Sequence, residues 1–231
     1  MTWGPAVRLS IIVPVLNEAA GIVPALEALQ PLRARGHEVV VVDGGSTDST
    51  FELAQGRADR VLAAPRGRAV QMNAGAATAA GDALVFLHAD TRLPDHADRL
   101  IIDALARRRW GRFDVRIESA HPMLAVVGTM MNFRSRLTGI ATGDQAIFAT
   151  RAAFHEAGGF PAIALMEDLA LSARLGRGGS PACLSEKVST SGRRWERNGV
   201  LATILLMWRL RLAYFFGADP GRLARLYARE A

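Results

Sequence analysis

The chain has 231 residues, 50% hydrophobic and 22% charged, with 28 Lys+Arg against 22 Asp+Glu and a formal charge of +6. That length holds one medium domain, or one domain with a short appendage, that builds its own core without disulfides or structural metals, and the apolar content excludes a disordered chain. The lone cysteine, Cys183, rules out a disulfide framework or cysteine zinc site and suits a reducing cytosol, while the single lysine, Lys187, makes the basic excess almost wholly arginine.

Met1–Val7 lacks the basic start of a signal peptide. Leu9–Val13 is an unbroken apolar run of strand length, as in parallel strands covered on both faces. Ile22, Leu26 and Leu29 recur at helical spacing, with Pro24 in the early turns. Val39–Val42 is a second buried strand ending at Asp43-Gly44-Gly45. Asp48 caps a helix through Phe51 and Ala54. Arg60–Leu62 is a short strand, Ala69–Ala80 a helix and Ala83–Leu87 a strand ending at His88-Ala89-Asp90. This alternation predicts a doubly wound α/β layer. Beyond it come a helix over Pro94–Arg109, a strand over Arg112–Ile117 and an amphipathic helix over Pro122–Leu137. A strand over Ala146–Ala149, a helix opened by Met166-Glu167-Asp168, a strand over Val188–Ser191 and a helix from Val200 to Phe216 complete the chain. No stretch qualifies as a transmembrane helix: Ser119–Phe133 is too short and polar, and Gly199–Trp208 runs into Arg209 and Arg211.

Ligands of open α/β sheets bind beyond the carboxyl ends of strands. Here those ends carry Asn17-Glu18, Asp43 and Asp90. Neither G-x-G-x-x-G nor G-x-x-x-x-G-K-[ST] is present, and Gly44-Gly45-Ser46-Thr47-Asp48 does not complete G-x-S-x-G. The ordered set Ile12-Val13-Pro14-Val15-Leu16-Asn17-Glu18, Val41-Val42-Asp43-Gly44-Gly45-Ser46-Thr47-Asp48, Asn73-Ala74-Gly75, Ala80-Gly81-Asp82 and Phe86-Leu87-His88-Ala89-Asp90 resembles the family-2 glycosyltransferases. Gly158-Gly159-Phe160-Pro161 and Met166-Glu167-Asp168-Leu169 continue the likeness, which covers roughly residues 9–195. Within the family the chain is most similar to small bacterial members, some linked to arsenosugar formation.

The resemblance implies a GT-A fold: an α/β, Rossmann-like, open mixed sheet with helices on both faces, plus a C-terminal amphipathic helix. It implies a domain over 1–198, with a donor half to about 92 and an acceptor half from about 93, and a helical tail over 199–231. The implied activity is inverting transfer of a sugar from a nucleotide-sugar, UDP-linked, to a hydroxyl acceptor. Pro14, Asn17, Glu18, Asp43 and Asn73 would then form the donor pocket, with Arg66 and Arg68 stacking on the base or reaching the phosphates. Read from residues alone, Asp43 is equally a turn aspartate, Glu18 a first-turn acid and each arginine a solvated loop residue.

Asp90 stands where the family's metal-binding D-x-D ends, and a strand-end carboxylate suits Mg²⁺ or Mn²⁺ bridging a diphosphate. His88 replaces that motif's first aspartate; it binds ribose, supports the core or ligates the ion. Asp168 of the Glu167-Asp168 pair is the implied general base, and its competing reading is an N-cap. Arg194 and Trp195 match the end of the processive [QR]-x-x-R-W motif, but Ser191 departs from it, which argues against polymer synthesis. Together with Glu167, Asp144 and Gln145 they are assigned to the acceptor side.

The tail, with Leu201, Leu205, Trp208, Leu212 and Phe215 at helical spacing, is either a core-packing or homodimer-forming helix or a basic helix on an anionic membrane near a lipid-linked acceptor. Arg222, Arg225 and Arg229 favour the second, which turns a cytoplasmic location into a peripheral one at the inner membrane face. A sugar-phosphate nucleotidyltransferase is the alternative, but it expects a glycine-rich basic signature where Pro14-Val15-Leu16-Asn17-Glu18 stands. Dispersed arginines and 6% aromatics disfavour a basic nucleic-acid-binding module.

Overall fold

The computed structural model describes residues 7–230, so all but Val7 of the N-terminal segment read for a leader lies outside the described residues. The first half alternates as the sequence predicts. β1 (Leu9–Val15), β2 (Glu38–Asp43), β3 (Arg60–Ala63) and β4 (Ala83–Phe86) are joined by α1 (Ala19–Glu27), α2 (Gln30–Ala34), α3 (Thr50–Ala54) and α4 (Arg68–Thr78). The second half adds β5 (Thr91–Arg92), α5 (Ala97–Leu105), β6 (Trp110–Glu118), α6 (Pro122–Thr138) and a 3-10 turn at Gly143–Gln145. After these come β7 (Phe148–Thr150), α7 (Arg151–Glu156), α8 (Glu167–Arg177), β8 (Ala182–Ser191), α9 (Arg193–Asn198), α10 (Val200–Phe215) and α11 (Pro220–Glu230). The tail is thus two helices where the sequence suggested one.

The eight strands form one mixed sheet in the order β3-β2-β1-β4-β7-β6-β8-β5. β1 to β4 are mutually parallel where they pair, β7 is antiparallel to β4 and β6, and β8 runs parallel to β6. Alternation along each strand divides the core into two layers. Leu9, Ile11, Val13, Val39 and Val41 face Ile22, Leu26 and Ile101 from α1 and α5. Ile12, Val40, Val42, Leu84 and Phe86 face Met72 of α4, Phe154 of α7 and Leu171 of α8. Helix α4 lies unusually close to the sheet: a Cβ on Gly75 would stand 2.5 Å from Ile12.

Three charged groups are tied into this core. Glu38, 2% exposed, accepts from Ser10 Oγ (2.5 Å) and Ala80 N (2.7 Å) and pairs with Arg60. Asp98 of α5 takes Arg35 Nε at 2.6 Å and lies 3.2 Å from His37 Nε2; because His37 Nδ1 accepts from Leu9 N, the neutral ring donates from Nε2 to Asp98. Arg112, wholly buried in β6, pairs with Asp114, which also accepts from Arg136 Nη2 at 2.9 Å. Asn132 completes the join of α6 to β6: its amide spans Val115, accepting from its N–H and donating to its carbonyl at 2.8 and 2.9 Å.

Two predictions follow from these charges. Asp114→Ala leaves Arg112 as an uncompensated buried cation and should lower unfolding free energy by about 3 kcal/mol in urea titrations. The Asp98 carboxyl is held below its usual range: burial acts to raise it, but hydrogen bonds from Arg35 and His37 outweigh burial. A carboxyl depressed in the folded state stabilises above its unfolded pKa and loses that contribution as pH falls through the lower, folded value. Stability measured down from pH 5 should therefore fall more gently in Asp98→Asn than in the wild type.

Candidate active site

Strand direction decides where the chemistry gathers. β1, β2 and β4 end at one rim; β6 runs with β4 through the antiparallel β7, and β8 runs with β6, so their carboxyl ends reach the same rim. A cleft of about 550 Å³ opens there, lined by Pro14, Glu18, Arg68, His88, Asp90, Asp144, Thr190, Ser191, Arg193, Arg194, Trp195 and Arg197, among others. A second cavity, about 450 Å³, lies by Arg109, Glu156 and Arg174 at the opposite rim, where β6 starts and β7 ends, away from these groups.

The β1 and β2 loops are locked to one another. Asn17, at φ +54, accepts from Thr47 N (2.8 Å), and its own N–H donates to Ser46 Oγ (2.9 Å). Asp48 does not cap α3 alone. Its carboxylate accepts from Thr50 N at 3.0 Å, from the Thr50 hydroxyl and from Ala19 N at 3.1 Å, fastening the starts of α1 and α3 together; these bonds hold its pKa low. Asp43 is 4% exposed and accepts from Gly45 N, Ser46 N and the Ser46 hydroxyl, so the turn-aspartate geometry is the one it adopts. It shapes the loop behind the cleft and does not line it.

Inside the cleft, charges of one sign are held close together. Burial and repulsion from Asp90 and Asp48 raise the Glu18 carboxyl, against the pull of Arg193 and Arg194. Asp90 is exposed, and among the described residues its carboxylate accepts a long bond from Thr91 Oγ1 (3.4 Å). On the other side, burial and the neighbouring Arg68 lower Arg194, while Asp144 and Asp90 raise it. The Arg194 guanidinium also sits 5.2 Å from the Tyr227 ring centroid of α11. Asp144 lies 3.2 Å from His88 Nδ1; burial acts to raise its carboxyl, but His88, Arg68 and Arg194 hold it below the usual range.

Asp168 occupies the first turn of α8 and not its N-cap; the N-cap position is Met166, at φ +69. Its Oδ1 accepts from Leu169 N at 2.8 Å and its Oδ2 from Gly143 N at 2.7 Å, which sets it directly behind the cleft wall formed by Asp144. Glu167 is 3% exposed, raised by burial and by Asp168, and reaches Arg68 Nη1 at 3.5 Å.

Three more of the residues assigned from sequence are engaged elsewhere or stand off the cleft lining. The amide of Asn73 is spent on the backbone of Phe160, donating to its carbonyl and accepting from its N–H. Gln145 is fully buried and closes a capping box with Thr142. Arg66 is exposed on the β3–α4 loop and does not line the cleft. Conversely, Arg193, Thr190, Ser191 and Arg197 line the cleft without having been assigned a role. The arginine cluster 193–197 was the available signal. Arg134 of α6 and Arg211 of α10 were also overlooked; burial and Arg211 push Arg134 down to about 10, while Asp168 pulls it up.

Because a Cβ on Gly143 would stand 2.5 Å from the His88 ring, Gly143→Ala must displace the imidazole. Overpacking of this kind costs about 1–3 kcal/mol, readable as a lower urea midpoint.

Known proteins are similar to this chain in sequence over part of its length and in fold. The succinoglycan biosynthesis protein ExoA of Rhizobium meliloti is 39% identical over 106 residues, 42% of this chain and 32% of that one. A PGL/p-HBAD biosynthesis glycosyltransferase of Mycobacterium tuberculosis is 36% identical over 95 residues, 38% of this chain and 37% of that one. The match thus spans about a third of the length of these curated relatives. Among solved structures, glucosyl-3-phosphoglycerate synthase from Mycobacterium tuberculosis, in complex with Mn²⁺, UDP and glucosyl-3-phosphoglycerate, superposes with TM-score 0.60 at 21% identity, covering 86% of this chain and 79% of that one. The mannosyltransferase PcManGT from Pyrobaculum calidifontis, in complex with GDP-Man and Mn²⁺, gives 0.63 at 22% identity over 97% of this chain and 70% of that one. These likenesses establish a GT-A-like fold. The profile of Glycosyl transferase family 2 matches residues 10–148, more than half of the sequence, and the chain belongs to that family.

Proposed function

We propose that this protein transfers a sugar from a UDP-linked donor to an acceptor hydroxyl with inversion at the anomeric carbon. The observation that carries the reading is the cleft itself. It gathers the close carboxylates Glu18 and Asp90 with Arg68, Arg193 and Arg194, and Asp168 accepts from Gly143 N, next in the chain to the lining residue Asp144. The arginines suit the diphosphate, which they hold by charge-assisted bonds. Pro14 and the Asn17–Thr47 clamp form the wall beside the base, with Asp43 bracing it from behind.

The residues fit Mg²⁺ or Mn²⁺. Asp90 offers an exposed carboxylate beside Glu18, and among the described residues no three metal-ligating side chains cluster. That donor set suits a hard ion that takes its remaining ligands from phosphate oxygens and water. When bound, the ion offsets negative charge on the departing diphosphate.

Asp168 is the general base. Each carboxylate oxygen accepts one backbone N–H and keeps a lone pair for the acceptor hydroxyl. As the acceptor oxygen bonds to the anomeric carbon, the carbon–oxygen bond to the diphosphate breaks, the electron pair leaves with the nucleotide, and the hydroxyl proton passes to Asp168. Asp144, Arg194 and Trp195 border the acceptor side, and buried Glu167 positions Arg68. The resemblance of Ile12–Glu18 and Met166–Leu169 supports, as part of this proposal, a kinship with the small bacterial members linked to arsenosugar formation.

Labelled donors, UDP- and GDP-linked, supply the test. Asp168→Asn should lower transfer at least about a hundredfold while the nucleotide still raises Tm. Asp90→Asn should abolish the extra Tm increase that Mn²⁺ adds to UDP. Transfer at the wild-type rate by Asp168→Asn would remove Asp168 from the mechanism.

A further inference from the structure

The largest unexplained feature of the surface is apolar. Val126, Met130, Phe133 and Leu137 follow one another at i, i+4, i+7 and i+11 along the outer side of α6. On α10, Leu201, Leu205, Trp208, Leu212 and Phe215 repeat the same spacing, and the two stripes are 57–82% exposed. Exposed apolar surface on this scale marks a contact face.

The two stripes form one surface. Leu124, Val127 and Met131 of α6 join Val200 and Ile204 of α10 in a single cluster near the helix starts, and Arg134 and Arg211 interact further along. The helices therefore run side by side in the same direction. Their buried positions, such as Leu124 and Ser135 on α6 and Leu206 and Leu210 on α10, lie opposite the stripes, so both stripes point outward.

We infer that the paired outer faces of α6 and α10 dock this protein in the plane of an anionic lipid leaflet. Neither helix contains an Asp or Glu; Arg134 and Arg211 fill the seam with nitrogens buried, Arg136 (paired with Asp114) and Arg209 are exposed at the two edges, and Arg222, Arg225 and Arg229 are exposed on α11. A second copy would meet this face with the same face in a two-fold pairing, setting arginine against arginine. An anionic head-group layer complements that charge, and the apolar stripe enters the acyl boundary. Trp208, Phe133 and Phe215 are side chains suited to that boundary. Among the described residues no helix is long and apolar enough to cross a membrane, and the proposal sets α10 in the plane. The donor chemistry proposed above is not needed for this inference, and nucleotide-induced Tm shifts test the two separately.

Flotation of the full chain with phosphatidylglycerol-rich vesicles and with pure phosphatidylcholine vesicles tests the face. The protein should float with the anionic vesicles at low salt and be released at about 0.5 M salt. Leu205→Glu/Trp208→Glu and Phe133→Glu/Leu137→Glu should each weaken partition at least about tenfold, with circular dichroism and urea midpoint unchanged. The inference fails if the wild type does not float with anionic vesicles at low salt, if it binds phosphatidylcholine equally, or if the variants float like the wild type. A wild-type dimer that the same variants dissociate would assign the face to a second copy and overturn the membrane reading.

Discussion

Repulsion between like charges organises the rim of this sheet. Glu18 stands against Asp90, and Arg194 against Arg68; burial and then the like charge raise the Glu18 carboxyl and lower the Arg194 guanidinium. Protein groups relieve the strain only in part: Arg68 leans on Glu167, Asp144 on His88, and Arg194 on the Tyr227 ring. A ligand that carries both signs, an anion with a divalent counterion, settles both repulsions together. The arrangement forms without a glycine-rich phosphate loop.

The cost of keeping unsatisfied charge at the rim is carried by rigidity beneath it. Gln71 Nε2 donates to the carbonyls of both Val15 and Val42 at 2.8 Å, stitching the ends of β1 and β2 where the loops depart. The Asn17–Thr47 and Asp48–Ala19 bonds then fix the loops themselves. On the far half, Asn132 joins α6 to β6, and Gln145 reaches Asn132 Oδ1 at 3.4 Å, which links the floor of the acceptor side to the same network.

Much of this was legible in the sequence because local patterns there agree with the tertiary structure. The runs at Leu9–Val13, Val39–Val42 and Ala83–Leu87 are strands, and the acids that follow them do reach one rim. Other parts were hidden for physical reasons. In β8 the short apolar stretch Ala182–Leu184 is only half-buried and is followed by the exposed polar Ser185-Glu186-Lys187, so the apolar signal for that strand began only at Val188. α7 is six residues long, too short for a periodicity to declare itself. At the site, Asn73 could not be told from a ligand-binding amide, because a side-chain amide that bonds a distant backbone leaves no trace in local spacing; Gln145 by contrast bonds Thr142 three residues away, in a capping-box spacing that the sequence did carry. Arg134 and Arg211 lie 77 positions apart in the chain, and only the packing of α6 beside α10 brings them together.

Met166 gives the tail a bearing on the chemistry. It holds a left-handed backbone conformation unusual for a side chain of its size, immediately ahead of Glu167 and Asp168, and its side chain is buried with Leu206, Leu210 and Leu223. The segment that distorts the entry to α8 is therefore clamped by α10 and α11. Under the proposed mechanism, substitutions in those helices' inward faces would loosen the aim of the Asp168 carboxylate, because the tail packs on the residue that opens α8.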